Sequence, residues 1–242
     1  MSARPPRPNF DKHAMDASSL TTDVWTHLWK WAIDSIAAKG WPRGEIVLGE
    51  RITSAEIAEY EEAFERDLPA NLKTVLTDFA GEAVVRFPYP DEDSSQINDW
   101  EQMQSNETIP LFGGDTTVWS FPAMRDETEA FFDYCECYDE EEDELGDIFK
   151  TTVPIVVIDN GDFVALDTST GNIVYLAEAL DLTMMGRRLA ISFTDYVTRM
   201  AWAGSPWPDF LPVNKLYDHE SQLVATDSEF LDRWHGWLGS QE

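Results

Sequence analysis

Positive charge is scarce in this chain: seventeen lysines and arginines stand against forty-six aspartates and glutamates, a formal charge of −29 over 242 residues. Such a field repels nucleic-acid phosphates and anionic membrane surfaces, so direct binding to either is not expected. There are only two cysteines, Cys135 and Cys137. One residue apart, they are too close in an extended or helical segment for an unstrained disulfide, and no oxidised framework is implied. No apolar run reaches the roughly eighteen residues that a membrane span needs. The first residues, Met1 to Lys12, carry Arg and Pro without an apolar h-region. The expectation is a soluble protein of the cytoplasm.

The sequence signatures of common enzyme classes are missing as well. There is no GxGxxG, P-loop, GxSxG or HExxH, so dinucleotide, phosphate-loop, hydrolase-elbow and zincin readings have no support. Four histidines, His13, His27, His219 and His235, are scattered, and together with the two cysteines they match no structural-zinc spacing. An EF-hand loop needs Gly at its sixth position, where the segment Asp139 to Lys150 has Glu144. Among forty-six acids some carboxylate pair at general acid–base distance arises by chance. Neither metal, cofactor nor catalytic activity is expected.

What is abundant is apolar and aromatic. A 43% hydrophobic content with ten Trp and thirteen Phe excludes a disordered acidic chain. The length suits one large domain, or one with extensions, burying roughly 70–75% of its unfolded surface.

The clearest stretch runs from Val153 to Trp202 and reads as three strands and a helix. Val153 to Ile158 is a β-branched apolar run stopped by Asp159-Asn160-Gly161-Asp162, where Asn and Gly accept positive φ. Phe163 to Leu166 follows, then a turn ending in Gly171-Asn172, then Ile173 to Leu176, an antiparallel meander. Ala177 to Ala190 is less regular. Ser192 can cap a helix bearing Phe193, Tyr196, Val197 and Met200 on one face.

Upstream, residues 1 to 21 read as a lead-in without periodicity. A helix from Thr22 carries Val24, Leu28, Trp31, Ala32 and Ile36 at helical spacing and ends at Gly40 and Pro42, with Trp25, Trp29 and Trp31 packing. Ile46 to Leu48 suggests a strand. Thr53-Ser54-Ala55-Glu56 has the spacing of a capping box for a helix bearing Ile57, Tyr60 and Phe64. Leu68-Pro69 breaks that helix, and a third, with Leu72, Val75, Leu76 and Phe79, ends near Gly81 before a strand at Val84 to Phe87. Ile109 to Phe112 and Thr116 to Phe121 flank Gly113-Gly114-Asp115 as a hairpin. After Gly204-Ser205-Pro206-Trp207-Pro208, the spacing Thr226 to Glu229 offers a capping box for a C-terminal helix with Phe230, Leu231, Trp234 and Leu238.

The stretches "ITSAEIAEYEEAFERDLPANLKTVLTDFAG", "VPIVVIDNGDFVALDTSTGNIVYL" and "SFTDYVTRM" resemble, in order and spacing, the SMI1/KNR4 (SUKH) superfamily. The matching positions include Ile57, Glu61, Leu68, Pro69, Leu72 and Leu76 in the first part. Gly161, Asp162, Leu166, Asp167, Ser192 and Phe193 match in the second. One departure is Ala80-Gly81-Glu82, where the family commonly has Asn-Gly-Gly. The resemblance implies an α+β, SUKH-like fold: a mostly antiparallel sheet with helices packed on it, here with helical N- and C-terminal extensions. The expected organisation is a lead-in at 1–21, the SMI1/KNR4-like domain at 22–203 and an extension with a docked helix at 204–242.

The resemblance also implies a binding function, since bacterial members are commonly immunity proteins that neutralise a toxin. A nuclease toxin holds phosphates in a positive cleft that an acidic partner approaches fast and covers. The regulatory scaffolds of fungal members are the alternative, and a hydrolase of unrecognised type is a third. Six consecutive acids, Asp139, Glu140, Glu141, Glu142, Asp143 and Glu144, are the candidate partner-binding residues, because their mutual repulsion is relieved by a cationic partner; the plain alternative is a solvated loop.

Overall fold

The computed structural model describes residues 22–89, 114–136, 150–158, 160–177, 184–206 and 210–239. The chain forms two compact units, each made of separated stretches, and passes between them within three strands and one helix.

One unit holds residues 48–83 and 119–196. Its centre is a four-stranded antiparallel sheet, order β4-β5-β6-β7, from Thr152–Val157, Phe163–Asp167, Ile173–Leu176 and Arg187–Ala190. The first three strands are the expected meander. Gly161, at φ 91°, makes the first turn, its N–H donating to Ile158 O at 2.9 Å while Ile158 N donates to Asp162 O. Pro154 has no N–H to give a ladder, and it lies in β4 at the edge of the sheet beside a register shift between Pro154 and Val156.

The fourth strand corrects the expectation of an irregular Ala177 to Ala190. Arg187-Arg188-Leu189-Ala190 lacks a β-branched run, and β7 owes its extended form to pairing with β6, Ile173 opposite Ala190 and Tyr175 opposite Arg187.

Two helices of this unit follow the expected pattern. α2 (Ser54–Phe64) is closed at its start by a complete capping box: Thr53 accepts from Glu56 N, and Thr53 N donates to the Glu56 carboxylate at 2.8 Å. α3 (Ala70–Asp78) buries Leu72, Val75 and Leu76. A helix absent from the expectation, α4 (Phe121–Glu136), starts where the sequence suggested a strand running through Phe121. Ser120 caps it, accepting from Ala123 N at 3.2 Å, and its buried face is Phe121, Met124, Thr128 and Phe131. Phe131 packs with Ala165, Val174 and Leu176, and meets Phe163 edge-on at 5.0 Å, so α4 covers one face of the sheet.

The other unit holds residues 1–47, 84–118 and 197–242. It carries most of a three-stranded sheet, order β1-β2-β3, from Glu45–Leu48, Glu82–Phe87 and Gly114–Ser120, and an aromatic core built on α1 (Thr22–Ala38) and α7 (Glu229–Gly239). Trp25, Trp29 and Trp31 of α1 are all buried, as expected of packing tryptophans. Val24 is 37% exposed, a correction: the buried face keeps Leu28, Trp31, Ala32 and Ile36, widens to take in Trp25, Trp29 and Ile33, and leaves Val24 outside it.

Three buried tryptophan N–H groups of this core have hydrogen-bond partners. Trp25 Nε1 donates to Thr198 Oγ1, Trp202 Nε1 to Thr226 O and Trp234 Nε1 to Ala203 O, all at 2.8–2.9 Å. His235 is buried edge-on against Trp31 and Trp202, with Nε2 2.8 Å from Trp202 O. The C-terminal helix starts two residues later than its expected box: Ser228 is the cap, accepting from Leu231 N, while the Thr226 carbonyl is taken by Trp202. Two further pieces were not expected, α6 (Phe210–Leu216) and the short ribbon β8 (Tyr217–Asp218) with β9 (Leu223–Val224). The helix α5 (Phe193–Trp202), capped by Ser192 as expected, is the one helix that passes between the units.

Candidate functional site

The expected site residues, Asp139, Glu140, Glu141, Glu142, Asp143 and Glu144, lie outside the described residues, as does the proposed strand Ile109 to Phe112. The described chain borders the acidic run at Glu136, the end of α4, and resumes at Lys150, just before β4. Between α2, α4 and Lys150 the structure forms a groove that the sequence reading did not foresee.

That groove begins with the way α2 ends. Glu65 takes the left-handed conformation, φ 52°, and Arg66 N donates back to Glu61 O, turning the chain out of the helix. Glu61, one of the positions carrying the family resemblance, fastens the turn: its Oε1 accepts from Leu68 N at 2.5 Å and from Lys73 Nζ at 2.6 Å. Leu68 is thereby pinned in the core, and Pro69 occupies the position before α3 without a side-chain cap.

The turn throws Arg66 towards α4. Its Nη2 donates to Lys150 O at 2.6 Å and its Nη1 to Glu65 O at 3.1 Å, and its guanidinium carbon lies 5.3 Å from the centre of the Phe132 ring. Phe64 meets Phe132 edge-on at 6.0 Å. Ala63, Phe64, Glu65, Arg66, Glu129, Phe132 and Asp133 line the main groove, and a smaller hollow on the other side of Arg66 is lined by Asp67, Lys150, Thr151 and Thr168. Glu129, Phe132 and Asp133 are an i, i+3, i+4 set on one face of α4. That spacing was visible in the sequence but had no helix to sit on.

The remaining family positions are structural in character. Asp162 is buried, accepting from Tyr175 Oη at 2.5 Å and from Asn160 Nδ2 at 2.9 Å. Asp167 closes the next turn. Burial pushes its carboxyl up, but hydrogen bonds from the Thr170 and Ser169 hydroxyls and from Ser169 N–H outweigh this and hold it below the usual carboxylate range. Tyr60 is pushed up to about 12 by burial, with its hydroxyl 3.0 Å from Thr128 Oγ1. These groups are spent on turns and helix contacts. Among the described residues no set of three His, Cys, Asp or Glu side chains is placed to hold a metal ion.

Gly81 resolves the departure at Ala80-Gly81-Glu82. Its N–H donates to Glu50 O at 2.9 Å and its carbonyl accepts from Phe121 N at 2.8 Å, while Trp119 Nε1 donates to Ala80 O. A Cβ at Gly81 would lie 2.6 Å from Glu50 O, so this turn needs one glycine for close approach.

Among the described residues no helix is long and apolar enough to cross a membrane. A search of curated proteins finds no match to the chain. The family model described as SMI1/KNR4 family (SUKH-1) matches residues 51–199, well over half of the 242, and that span contains the capping box of α2, the Glu61 turn, the whole four-stranded sheet and the capped start of α5. The chain therefore belongs to the SMI1/KNR4 (SUKH-1) family.

Proposed function

We propose that this protein is an immunity protein, which binds and neutralises a cognate toxin carried by a basic domain, and that it acts by binding alone, without catalysis. Family membership carries the reading, because bacterial members of the superfamily are commonly of this kind. The charge of −29 supports it physically: it accelerates encounter with a cationic surface such as the phosphate-holding cleft of a nuclease. In this reading Asp139 to Glu144 contribute to recognition mainly by steering. Exposed charges set the association rate and its salt dependence, and buried anchors set residence time.

The test is co-expression with the toxic domain encoded beside this gene. Growth is expected to be restored by the wild-type chain. With the six acids replaced by Asn and Gln, protection is expected to weaken when the toxin is in excess. Full toxicity in the presence of abundant wild-type protein would contradict the reading. Turnover of nucleic acid, phosphoester, glycan or peptide by the purified protein, abolished by one carboxylate substitution, would contradict its non-catalytic part.

A further inference from the structure

We propose that the groove between the end of α2 and α4 is the seat for one arginine side chain of the basic partner, its guanidinium laid against Phe132 and Phe64 and bound by Glu129 and Glu65. The inference rests on the reading that the partner is basic, and adds where, and with which group, it is gripped. Four carboxylates, Glu65, Asp67, Glu129 and Asp133, rim the two hollows against two cations, Arg66 and Lys150. Arg66 keeps its positive charge while its Nη atoms donate to the backbone carbonyls of Glu65 and Lys150, so the rim carboxylates outnumber the rim cations four to two. Glu65, Asp67 and Glu129 take part in no ion pair among the described residues.

An anion entering here meets carboxylates on both walls. An apolar group strips their water without replacing it. A cation satisfies both the carboxylates and the aromatic faces. A guanidinium fits better than an ammonium, because its flat fork pairs with carboxylates while it stacks on a ring, as Arg66 already does on Phe132.

The probe is a capped Gly-Arg-Gly peptide, titrated into the ¹⁵N-labelled full chain at about 0.15 M salt, where diffuse surface attraction is screened beyond about 8 Å. Saturable amide shifts are expected, confined to residues 63–66 and 129–133. The Glu65→Gln/Glu129→Gln variant is expected to weaken the affinity about tenfold, and Phe132→Leu to do so as well. Glu59→Gln/Glu62→Gln, which removes the same charge from exposed positions on α2, is expected to change it less than about twofold. Glu65 and Glu129 are exposed, so their variant tests the claim even if Phe132→Leu fails to fold. Shifts spread over the surface, or equal losses in the two double variants, would overturn the seat. Binding of the toxic domain with unchanged affinity by the Glu65→Gln/Glu129→Gln variant would also overturn it while leaving the immunity reading intact. Localised peptide binding by a wild-type chain that fails to neutralise the toxin would sink the immunity reading alone.

Discussion

At Gly81 a methyl group would sit 2.5 Å from Ile52 Cδ1 as well as against the Glu50 carbonyl oxygen, and backbone cannot yield as a side-chain end can. Gly81→Ala is expected to lower stability by about 1–3 kcal/mol, the cost of overpacking, read from a urea midpoint. Gly171 differs: nothing lies within 4 Å of its virtual Cβ, but its φ is +80°. Asn tolerates that conformation, so Gly171→Asn should fall well short of the loss at Gly81→Asn. Equal losses would contradict this division between space and torsion. Phe193, fully buried and edge-on to Trp119 at 5.5 Å, is expected to cost about 3–5 kcal/mol as Phe193→Ala. An unshifted melting curve would show that the face of α5 had been misassigned. Asp167 provides a pH test. Its folded pKa lies below the unfolded value of about 3.9, so its contribution is present above that pH and lost as the pH falls towards the folded pKa. Asp167→Asn is therefore expected to flatten the acid limb of the stability curve below about pH 4. An acid limb identical to the parent's would contradict it.

Helix starts were the most readable elements, because their chemistry is local. Thr53 with Glu56, and Ser192 before Phe193, specify caps within four residues, and both formed. Thr53→Ala is expected to cost about 0.5–2 kcal/mol in denaturant, and no change would indicate that packing alone holds α2. Where local signals competed, the tertiary structure decided. The apolar run into Phe121 read as a strand, yet Ser120 and the spacing Phe121, Met124, Thr128 and Phe131 make α4. β7 had no propensity of its own and depends on β6 for its hydrogen bonds. The groove was invisible for the same reason. Arg66 lies one residue beyond a left-handed helix end, and the aromatic and acidic residues it meets belong to a helix whose cap and spacing were outweighed by the strand-like run into Phe121.

At the scale of the whole chain, charge and order of motifs were readable and the interaction surface was not. The order of motifs from Ile52 to Met200 pointed to the family whose model matches 51–199. Net charge says what kind of partner is attracted, whereas a binding surface is a juxtaposition of residues far apart in sequence, such as Arg66, Phe132 and Lys150. The most direct test is stopped-flow association of the purified protein with the toxic domain encoded beside it, at low and high salt. The expected result is a one-to-one complex whose association rate falls steeply with salt, and falls less steeply when Asp139 to Glu144 are neutralised. The absence of a complex would contradict the central claim, and a complex whose association rate ignores salt would contradict its electrostatic basis.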